Sequence, residues 1–328
     1  MKILVADKFE LSGIEQLKML GYEVVYRPGT TGPALATALC QEGFEALVVR
    51  STKVPRETIE ASQGLKLIVR AGAGTDTIDV GSATKRGIRV CNCPGMNSTA
   101  VAELTIGMMI ALDRRIVDET DDLRHRVWNK KEYSKARGLK GRTLGILGLG
   151  RIGYEVAKRA KAFDMRVLYA DVIARPEAED ELGVFRVSMN ELFAESDFLT
   201  LHVPGGEETT HVVNEETLAR MKPSAFIINC SRGGVVDEQA LGVAINEGRI
   251  AGAALDVYEI EPSADDREFK DPILDVRRVY GTHHIGASTE QAQTAVAEET
   301  VRIVKGFVER GEFLNCMNEP TGEMVDAA

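Results

Sequence analysis

The chain has 328 residues, of which 44% are hydrophobic and 27% are charged. This length suits two domains, and this composition is typical of a folded globular protein rather than a disordered one. The formal net charge of −10 argues against a nucleic-acid-binding surface, because such surfaces need clustered Lys and Arg.

The first part of the chain alternates short apolar strands with helical segments, the pattern of a parallel α/β sheet. The first strand reaches Asp7 too soon for a signal peptide. The longest apolar run, Leu104–Leu112, is too short to span a bilayer. We therefore expect a cytoplasmic protein with no membrane segment. Predicted strands are Ile3–Ala6, Glu23–Tyr26, Ala46–Val49, Leu67–Val69 and Arg89–Cys91, and predicted helices include Leu11–Leu20, Pro33–Cys40 and Asp79–Arg86.

The middle of the chain contains a second α/β pattern. Its strands are predicted at Leu144–Leu147, Arg166–Tyr169, Phe198–Leu201, Ala225–Asn229 and Gly252–Leu255. Ser288-x-x-Gln291 then fits a capping box at the start of a last helix. We expect this helix and the tail Phe313–Met317 to return to the first domain. The predicted domains are 1–97 with 287–328, and an inserted domain at 98–286.

A glycine-rich turn in the inserted domain has the spacing of a dinucleotide-binding motif. Gly148, Gly150 and Gly153 form G-x-G-x-x-G between a predicted strand and the predicted helix Tyr154–Phe163. The glycines allow a tight turn, a close approach of the pyrophosphate and close helix packing. Asp171 follows the next strand at the spacing of an acid that binds the adenosine ribose. This pattern favours NAD, although Arg175 nearby leaves NADP open.

Three further side chains have the chemistry needed to oxidise an alcohol beside a carboxylate. Arg232 follows a buried strand and is suited to hold a carboxylate through its forked N–H groups. His284 lies in a glycine-containing turn and is suited to accept a proton near neutral pH. A carboxylate partner would hold the imidazole in place. Glu261 and Glu259 are both candidates for that partner, and their spacing does not separate them.

The remaining polar motifs allow two interpretations. The turns after two strands of the first domain, at Arg50–Thr52 and Arg70–Asp76, are either plain turns or anion sites made by backbone N–H groups. A basic stretch that ends in Lys130 and Lys131 is either a solvated helix face or a local anion site. The five cysteines contain no CxxC pair, which indicates buried thiols rather than a zinc site, so no metal is expected.

Taken together, these segments resemble the D-isomer-specific 2-hydroxyacid dehydrogenase family over nearly the whole chain. The resemblance implies two doubly wound α/β domains, a flavodoxin-like substrate domain with an inserted Rossmann NAD-binding domain, and the cofactor in the cleft of a homodimeric enzyme. Among family members, the chain is most similar to those that act on 3-phosphoglycerate. The segments that carry the resemblance are Arg50–Val54, Arg70–Asp76, Thr143–Gly153, Leu201–Pro204, Ser231–Asp237, Ala254–Val257 and His284–Thr289.

The resemblance also implies a role for individual residues. The catalytic residues would be Arg232, Glu261 and His284, which selects Glu261 over Glu259. Besides Gly148, Gly150 and Gly153, NAD contacts would fall on Ala73, Arg151, Ile152, Asp171, Val203, Pro204, Cys230, Ser231, Arg232, Asp256, His284 and Gly286. Substrate contacts would fall on Arg50, Ser51, Arg70, Ala71, Gly72, Ala73, Gly74 and Lys130. The backbone at Ala71–Gly74 would meet the substrate carboxylate, and Lys130 lies where the family often has a basic contact to a phosphate.

The sequence departs from the family pattern at two loops. His283 replaces the usual proline before the histidine, and Gly205-Gly206 replaces a more apolar pair after Pro204; both affect loop geometry rather than chemistry. The sequence lacks the regulatory extension of many related enzymes, so feedback by serine through such a domain is not expected. The alternative functions are a hydroxypyruvate or glyoxylate reductase and a cofactor-sensing binding protein similar to the corepressors of the family.

Overall fold

A computed structural model describes residues 1–262 and 268–318. Its strands are β1 (Lys2–Val5), β2 (Glu23–Tyr26), β3 (Ala46–Val49), β4 (Leu67–Arg70), β5 (Arg89–Asn92), β6 (Thr143–Leu147), β7 (Arg166–Ala170), β8 (Phe185–Arg186), β9 (Phe198–Leu201), β10 (Phe226–Asn229), β11 (Gly252–Leu255) and β12 (Val279–Gly281). Its helices are α1 (Leu11–Met19), α2 (Gly32–Gln41), α3 (Arg56–Ala61), α4 (Val80–Lys85), α5 (Ser98–Arg114), α6 (Ile116–Arg124), α7 (Lys130–Tyr133), α8 (Arg151–Ala162), α9 (Pro176–Leu182), α10 (Met189–Glu195), α11 (Glu215–Leu218), α12 (Glu238–Asn246) and α13 (Glu290–Arg310). Short 3₁₀ turns occur at Gly233–Val235 and Pro272–Asp275.

The contacts divide the chain into two units. The first unit consists of Met1–Asn97 and the segment that begins at Ser288, and the second unit is Ser98–Ala287. The first unit has a five-stranded parallel sheet with the strand order β2-β1-β3-β4-β5. This is the flavodoxin-like order, in which the sequence of strands reverses next to the first strand.

The sheet of the first unit is covered by apolar side chains on both faces, as expected for a parallel sheet. One cluster contains Leu35 and Leu39 of α2 together with Leu47 of β3. The other cluster joins Ile3 of β1 to Ile303 of α13. Helix α13, near the end of the described chain, therefore packs in the same apolar layer as the first strand, β1.

The second unit has a seven-stranded parallel sheet with the order β12-β11-β10-β9-β6-β7-β8. When the strands of this unit are counted from β6, the order is the 3-2-1-4-5-6 arrangement of a Rossmann domain with one strand added. The order reverses between β6 and β9, where doubly wound sheets bind ligands outside the carboxyl ends of their strands. The predicted fold class is confirmed.

The starts of helices α8 and α13 differ from the sequence prediction. Helix α8 begins at Arg151 rather than at the predicted Tyr154, so it includes Gly153. A larger residue would not fit at Gly153, because the neighbouring atoms pack closely there. The capping box predicted at Ser288 is wrong, since Thr289 caps α13 through its hydroxyl, which accepts from the Ala292 N–H at 3.2 Å. Within the described residues, no helix has the length and apolar character to cross a membrane.

Candidate active site

The turn after β6 has the shape of a phosphate-binding loop. Gly148 has φ +90°, and a Cβ added there would lie 2.6 Å from the His202 carbonyl oxygen. A Cβ at Gly153 would overlap the Gly148 carbonyl oxygen. Two of the three motif glycines are thus required by conformation or by space.

The third motif glycine lies at the start of helix α8. Gly150 is the N-cap of this helix, with no side-chain cap, and a Cβ added to it would meet nothing within 4 Å. The first N–H groups of a helix lack partners within the helix, and the positive end of the helix dipole favours an anion there. This open backbone fits the pyrophosphate of a dinucleotide.

Asp171, directly after β7, is tied to the same loop. Its Oδ2 accepts from the Leu149 N–H at 2.8 Å, and its Oδ1 accepts from the Ile173 N–H at 2.9 Å. Each carboxylate oxygen keeps a further lone pair for a hydroxyl donor. The site thus fits the ribose of NAD. Arg175 donates its backbone N–H to the Tyr169 hydroxyl at 2.9 Å.

Arg232 is held in a turn that its neighbours fix. The Asn229 amide donates to the Arg232 carbonyl at 2.9 Å, and its Oδ1 accepts from the Ser231 N–H at 3.0 Å and from the Ser231 hydroxyl at 2.8 Å. A Cβ on Gly205 would lie 3.2 Å from the Arg232 Cγ. The glycine that departs from the family pattern thus leaves room for the Arg232 side chain.

His284 and Glu261 form a hydrogen-bonded pair. The imidazole Nδ1 lies 2.7 Å from the Glu261 Oε2, and the side chains are 51% and 33% exposed, respectively. Burial raises the pKa of Glu261, but the hydrogen bond and charge of His284, the Tyr258 N–H and the charge of Arg232 together bring that pKa below its usual range. Because an ionised carboxylate can only accept, Nδ1 carries the proton and Nε2 of the neutral ring is an acceptor.

The backbone at His284 has an uncommon conformation. Its φ is +51°, in the left-handed region that non-glycine residues adopt infrequently. The Asp256 carboxylate, which is buried, accepts from the Thr282 hydroxyl at 2.6 Å and from the N–H groups of Ile285 and Gly286, both at 2.8 Å. These three bonds fix the turn around the histidine and offset the strain that the positive φ brings.

Glu259 has different partners from Glu261. Its Oε1 lies 3.2 Å from the His211 Nε2 and accepts from the Glu238 N–H at 3.0 Å, while the Glu238 Oε1 accepts from the Glu259 N–H at 2.9 Å. The structure therefore shows which of the two carboxylates contacts His284, a choice that the sequence pattern left open. Glu261 contacts the histidine of the turn, and Glu259 anchors the segment that carries Glu261.

Two other ionisable side chains near this edge are unsuited to acid–base or nucleophilic work at neutral pH. Burial lowers the pKa of His202 to about 3, so its ring is neutral, and its Nε2 lies 2.9 Å from the Thr200 hydroxyl. Burial raises the pKa of Cys230 to about 12, so it remains a thiol. Among the described residues, no group of three or more His, Cys, Asp or Glu side chains is arranged to hold a metal.

The structure brings most of the predicted NAD contacts to one edge of the second sheet. Parallel strands place the segments that follow β6, β7, β9, β10, β11 and β12 on the same side. The predicted residues on these segments are Gly148, Gly150, Arg151, Ile152, Gly153, Asp171, Val203, Pro204, Cys230, Ser231, Arg232, Asp256, His284 and Gly286. Ala73 is the predicted NAD contact that lies in the first unit.

The predicted substrate contacts in the first unit follow β3 and β4. Asp7 Oδ2 accepts from the N–H groups of Arg50, Ser51 and Thr52 at 2.6, 3.0 and 3.0 Å. This leaves the Arg50 guanidinium to contact the Ser288 hydroxyl at 3.1 Å.

In the next turn, the N–H groups of Ala71 and Gly72 donate to the carbonyls of Val49 and Arg70. Within the described chain, the N–H groups of Ala73 and Gly74 donate to no backbone carbonyl. Of the four predicted carboxylate contacts, these two N–H groups are therefore the better placed for an anion. Gly72, with φ +152°, lies under the Arg70 side chain, which a Cβ would overlap. Lys130, predicted to contact a phosphate, begins the short exposed helix α7 in the second unit.

Sequence reasoning missed several residues that hold the site. Asp7, Asn229 and Glu238 each fix a loop through backbone hydrogen bonds. Asn229 and Asp7 do lie at strand ends, a position that could have marked them. Nothing in the spacing of Glu238 indicates its pairing with Glu259.

In the second unit, the fold and site define a dinucleotide-binding domain with a histidine–carboxylate pair. Residues 106–286 match the family model described as "D-isomer specific 2-hydroxyacid dehydrogenase, NAD binding domain". The chain therefore belongs to the D-isomer specific 2-hydroxyacid dehydrogenase family, and its cofactor is NAD.

Individual relatives support this assignment. The chain is 45% identical over 311 residues to D-3-phosphoglycerate dehydrogenase of Methanocaldococcus jannaschii, an alignment that covers 93% of this chain and 58% of that protein. The chain therefore spans less than two thirds of that relative's length. It is 46% identical over 268 residues to hydroxypyruvate reductase of Thermotoga maritima, covering 81% of this chain and 85% of that one.

A solved structure with bound NAD has the same fold. The D-lactate dehydrogenase of Aquifex aeolicus, complexed with NAD and lactic acid, superposes with a TM-score of 0.84 at 31% identity. The superposition covers 98% of this chain and 100% of that one. The likeness includes both parallel sheets of the present chain.

Proposed function

We propose that the chain is an NAD-dependent dehydrogenase that acts at the 2-carbon of a D-2-hydroxy acid. One observation carries the proposal: the His284 Nδ1 lies 2.7 Å from the Glu261 Oε2, and Arg232 is near enough for its charge to lower the pKa of that carboxyl. A base, its carboxylate support and a guanidinium are the groups that this oxidation needs from the protein.

In the proposed mechanism, each group has one task. Neutral His284 accepts the proton of the substrate hydroxyl at Nε2, and Glu261 stabilises the resulting imidazolium through Nδ1. Arg232 binds the substrate carboxylate and stabilises negative charge on the neighbouring oxygen. When bound, NAD supplies the hydride acceptor. In the reduction direction His284 returns the proton to the carbonyl oxygen.

Other residues would hold the two ligands. The loop from Gly148 to Gly153 and the start of α8 would bind the pyrophosphate, and Asp171 would bind the ribose hydroxyls. In the first unit, the N–H groups of Ala73 and Gly74 are the proposed contacts for the substrate carboxylate. Arg50, Arg70 and Lys130 are the proposed cationic contacts.

We propose 3-phosphoglycerate as the substrate, oxidised to 3-phosphohydroxypyruvate for serine synthesis. Three cationic side chains are more than a single carboxylate needs, and they suit a substrate that also carries a phosphate. The identity to the Methanocaldococcus jannaschii enzyme supports this choice. Reduction of hydroxypyruvate or glyoxylate is the second candidate, because the chain covers 85% of the Thermotoga maritima hydroxypyruvate reductase.

A substrate panel tests these proposals. NADH absorbance would be followed with 3-phosphoglycerate, glycerate and lactate in one direction, and with 3-phosphohydroxypyruvate, hydroxypyruvate and glyoxylate in the other. We expect the highest kcat/KM for the phosphorylated pair. Higher kcat/KM for hydroxypyruvate or glyoxylate would select the reductase. NAD binding without turnover of any 2-hydroxy acid would instead favour a cofactor-sensing binding protein.

The role of His284 has its own test. His284→Ala should lower turnover by about a hundredfold or more, while the Kd for NAD changes far less, because the proposed pyrophosphate and ribose contacts remain. Unchanged turnover in this variant would remove His284 from the mechanism.

We also propose that the protein is a homodimer. Helix α6 has no buried residue, and Ile116, Val117 and Leu123 on it are 45%, 50% and 54% exposed. Such an exposed apolar group is typical of a surface that a second copy covers. Light scattering after gel filtration should give twice the chain mass. A cytoplasmic location stays a prediction.

A further inference from the structure

The last described segment of the chain pairs with strand β5. Cys91 and Cys316 are opposite each other in an antiparallel bridge. The Asn92 N–H donates to the Asn315 carbonyl at 3.2 Å, and the Met317 N–H donates to the Val90 carbonyl at 2.8 Å. Because these bonds flank the two cysteines, Cys91 and Cys316 form a non-hydrogen-bonded pair.

This type of pair has the backbone spacing of a disulfide. Directly opposite residues in a non-hydrogen-bonded antiparallel pair have Cα atoms about 4.5 Å apart, and disulfides span Cα separations of about 4.4–6.8 Å. In addition to burial, the Cys316 side chain, which is close to Cys91, raises the pKa of the Cys91 thiol. The backbone pairing therefore already places the two cysteines next to each other.

The two thiols differ in access to solvent. Cys91 is fully buried, whereas Cys316 is partly exposed. The only other partly exposed cysteine of the five is Cys40. Cys93 contacts α13 instead, with its Sγ 3.5 Å from the Thr300 hydroxyl. A reagent in solvent would thus meet Cys316 first, and Cys91 is the thiol positioned to react next.

We propose that Cys91 and Cys316 are a modification site that forms an intramolecular disulfide on exposure to a low-molecular-weight disulfide such as oxidised glutathione. The Cys316 thiolate attacks one sulfur of the reagent, and one molecule of reduced thiol leaves. The Cys91 thiolate then attacks the Cys316 sulfur in the mixed disulfide, and a second reduced thiol leaves. The protein dithiol is oxidised and the reagent is reduced by the same two electrons.

The second step should be the slower one. Burial and the neighbouring Cys316 raise the pKa of Cys91 well above its usual range, so little thiolate is present at neutral pH. The bond would join β5 to the chain after α13 and enclose the whole second unit in a covalent loop. Loop closure lowers the entropy of the unfolded chain, so the oxidised protein should unfold at a higher temperature.

The proposal is tested in a Cys40→Ser parent, which removes the other accessible thiol. After incubation with oxidised glutathione at pH 8.5, intact mass should fall by two hydrogens, and a digest should contain a peptide that links Cys91 to Cys316. With Cys91→Ser added, a stable glutathione adduct on Cys316 is expected instead. With Cys316→Ser added, no modification is expected.

Two outcomes would overturn the proposal. One is a parent protein that stays fully reduced, and the other is a parent that keeps the glutathione adduct without any linked peptide. Should a serine variant fail to fold, the linked peptide in the parent alone still decides the result. The assay needs no turnover, so it is independent of the proposed dehydrogenase function.

Discussion

Gly233 lies directly against the backbone of Tyr258. A Cβ built on Gly233 would overlap the Tyr258 carbonyl group, and it would lie 2.5 Å from the Glu259 backbone nitrogen. Gly233 follows Arg232, and Tyr258 begins the segment that leads to Glu261. Because Gly233 has no side chain, the loop that carries Arg232 can lie close to the loop that carries Glu261.

We predict that Gly233→Ala lowers kcat/KM by on the order of a hundredfold, because displacement of catalytic groups by about 1 Å can have this effect. Gly234→Ala is the matched control, since a Cβ at Gly234 would meet nothing within 4 Å. Steady-state kinetics of both variants, with circular dichroism to confirm folding, check the prediction. Equal effects of the two substitutions would show that the contact with Tyr258 does not matter.

Glu261→Gln should lower turnover by about ten- to a hundredfold, because the neutral amide cannot stabilise an imidazolium as a carboxylate does. Glu259→Gln is the control two residues away. It should keep most of the activity, since Glu259 contacts His211 rather than His284 and the Oε1 of Gln can still accept from the Glu238 N–H. Initial rates at saturating NAD check both. The assignment fails if Glu259→Gln is the more damaging change.

Asp171→Ala should raise the KM for NAD by about tenfold or more, because it removes the proposed acceptor for the ribose hydroxyls and frees the Leu149 N–H. It should also narrow the preference for NAD over NADP, because the repulsion of a 2′-phosphate is lost. Arg175→Ala is the comparison variant and should weaken any residual use of NADP. Parallel titrations with both cofactors provide the measurement. An unchanged NAD to NADP ratio in Asp171→Ala would argue against this site for the ribose.

Glu238 gives the protein a predicted pH dependence of stability. Burial, together with the charges of Asp271 and Glu259, raises the pKa of Glu238 to about 7. The folded state therefore holds a proton that the unfolded state releases above the ordinary glutamate pKa of 4.5. This contribution to stability is full below the unfolded pKa, and it is lost as the pH rises through the folded value.

Replacing Glu238 with Gln should flatten the decline in the free energy of unfolding between about pH 5 and pH 8. Glu247→Gln, at the exposed end of the same helix, should leave the decline as it is in the parent protein. Urea unfolding at several pH values, followed by fluorescence, measures both. If the free energy of unfolding of the Glu238 variant declined as steeply with pH as that of the parent protein, Glu238 would not hold a proton in the folded state.

Lys130→Ala should raise the KM for the proposed substrate, 3-phosphoglycerate, several-fold, because it removes the proposed charge-assisted contact to the phosphate. The KM for substrates without a phosphate should change little. Lys131→Ala is a closely matched control, since both lysines are exposed on helix α7. If both variants behave alike, the basic stretch is a solvated helix face.

Much of the fold could be predicted because its strands are short apolar runs bounded by turns. Strands β2, β3, β9 and β11 have the predicted bounds, since all four are largely apolar runs with polar or glycine residues close to their ends. The start of α8 was harder to predict, because glycine has low helix propensity and only tertiary packing places Gly153 inside the helix.

The chemistry of the site could be predicted only in part. A strand followed by glycines and an acid predicts a dinucleotide site, because the spacing is local. The choice between Glu259 and Glu261 depends on the path of a loop that Gly233 and Glu238 set from elsewhere in the chain. Asp7 reaches the N–H of Arg50 across 43 positions of sequence. Such distant pairs leave no periodic signal.

The packing of Ile303 beside Ile3 in one cluster has a consequence for the order of folding during synthesis. The second unit is continuous in sequence, so it can fold once residue 287 has left the ribosome. One face of the first sheet, in contrast, is covered only in part, by α1, until α13 emerges. The nascent chain thus exposes apolar strands for most of its translation. We expect a chaperone to bind the chain mainly during this period.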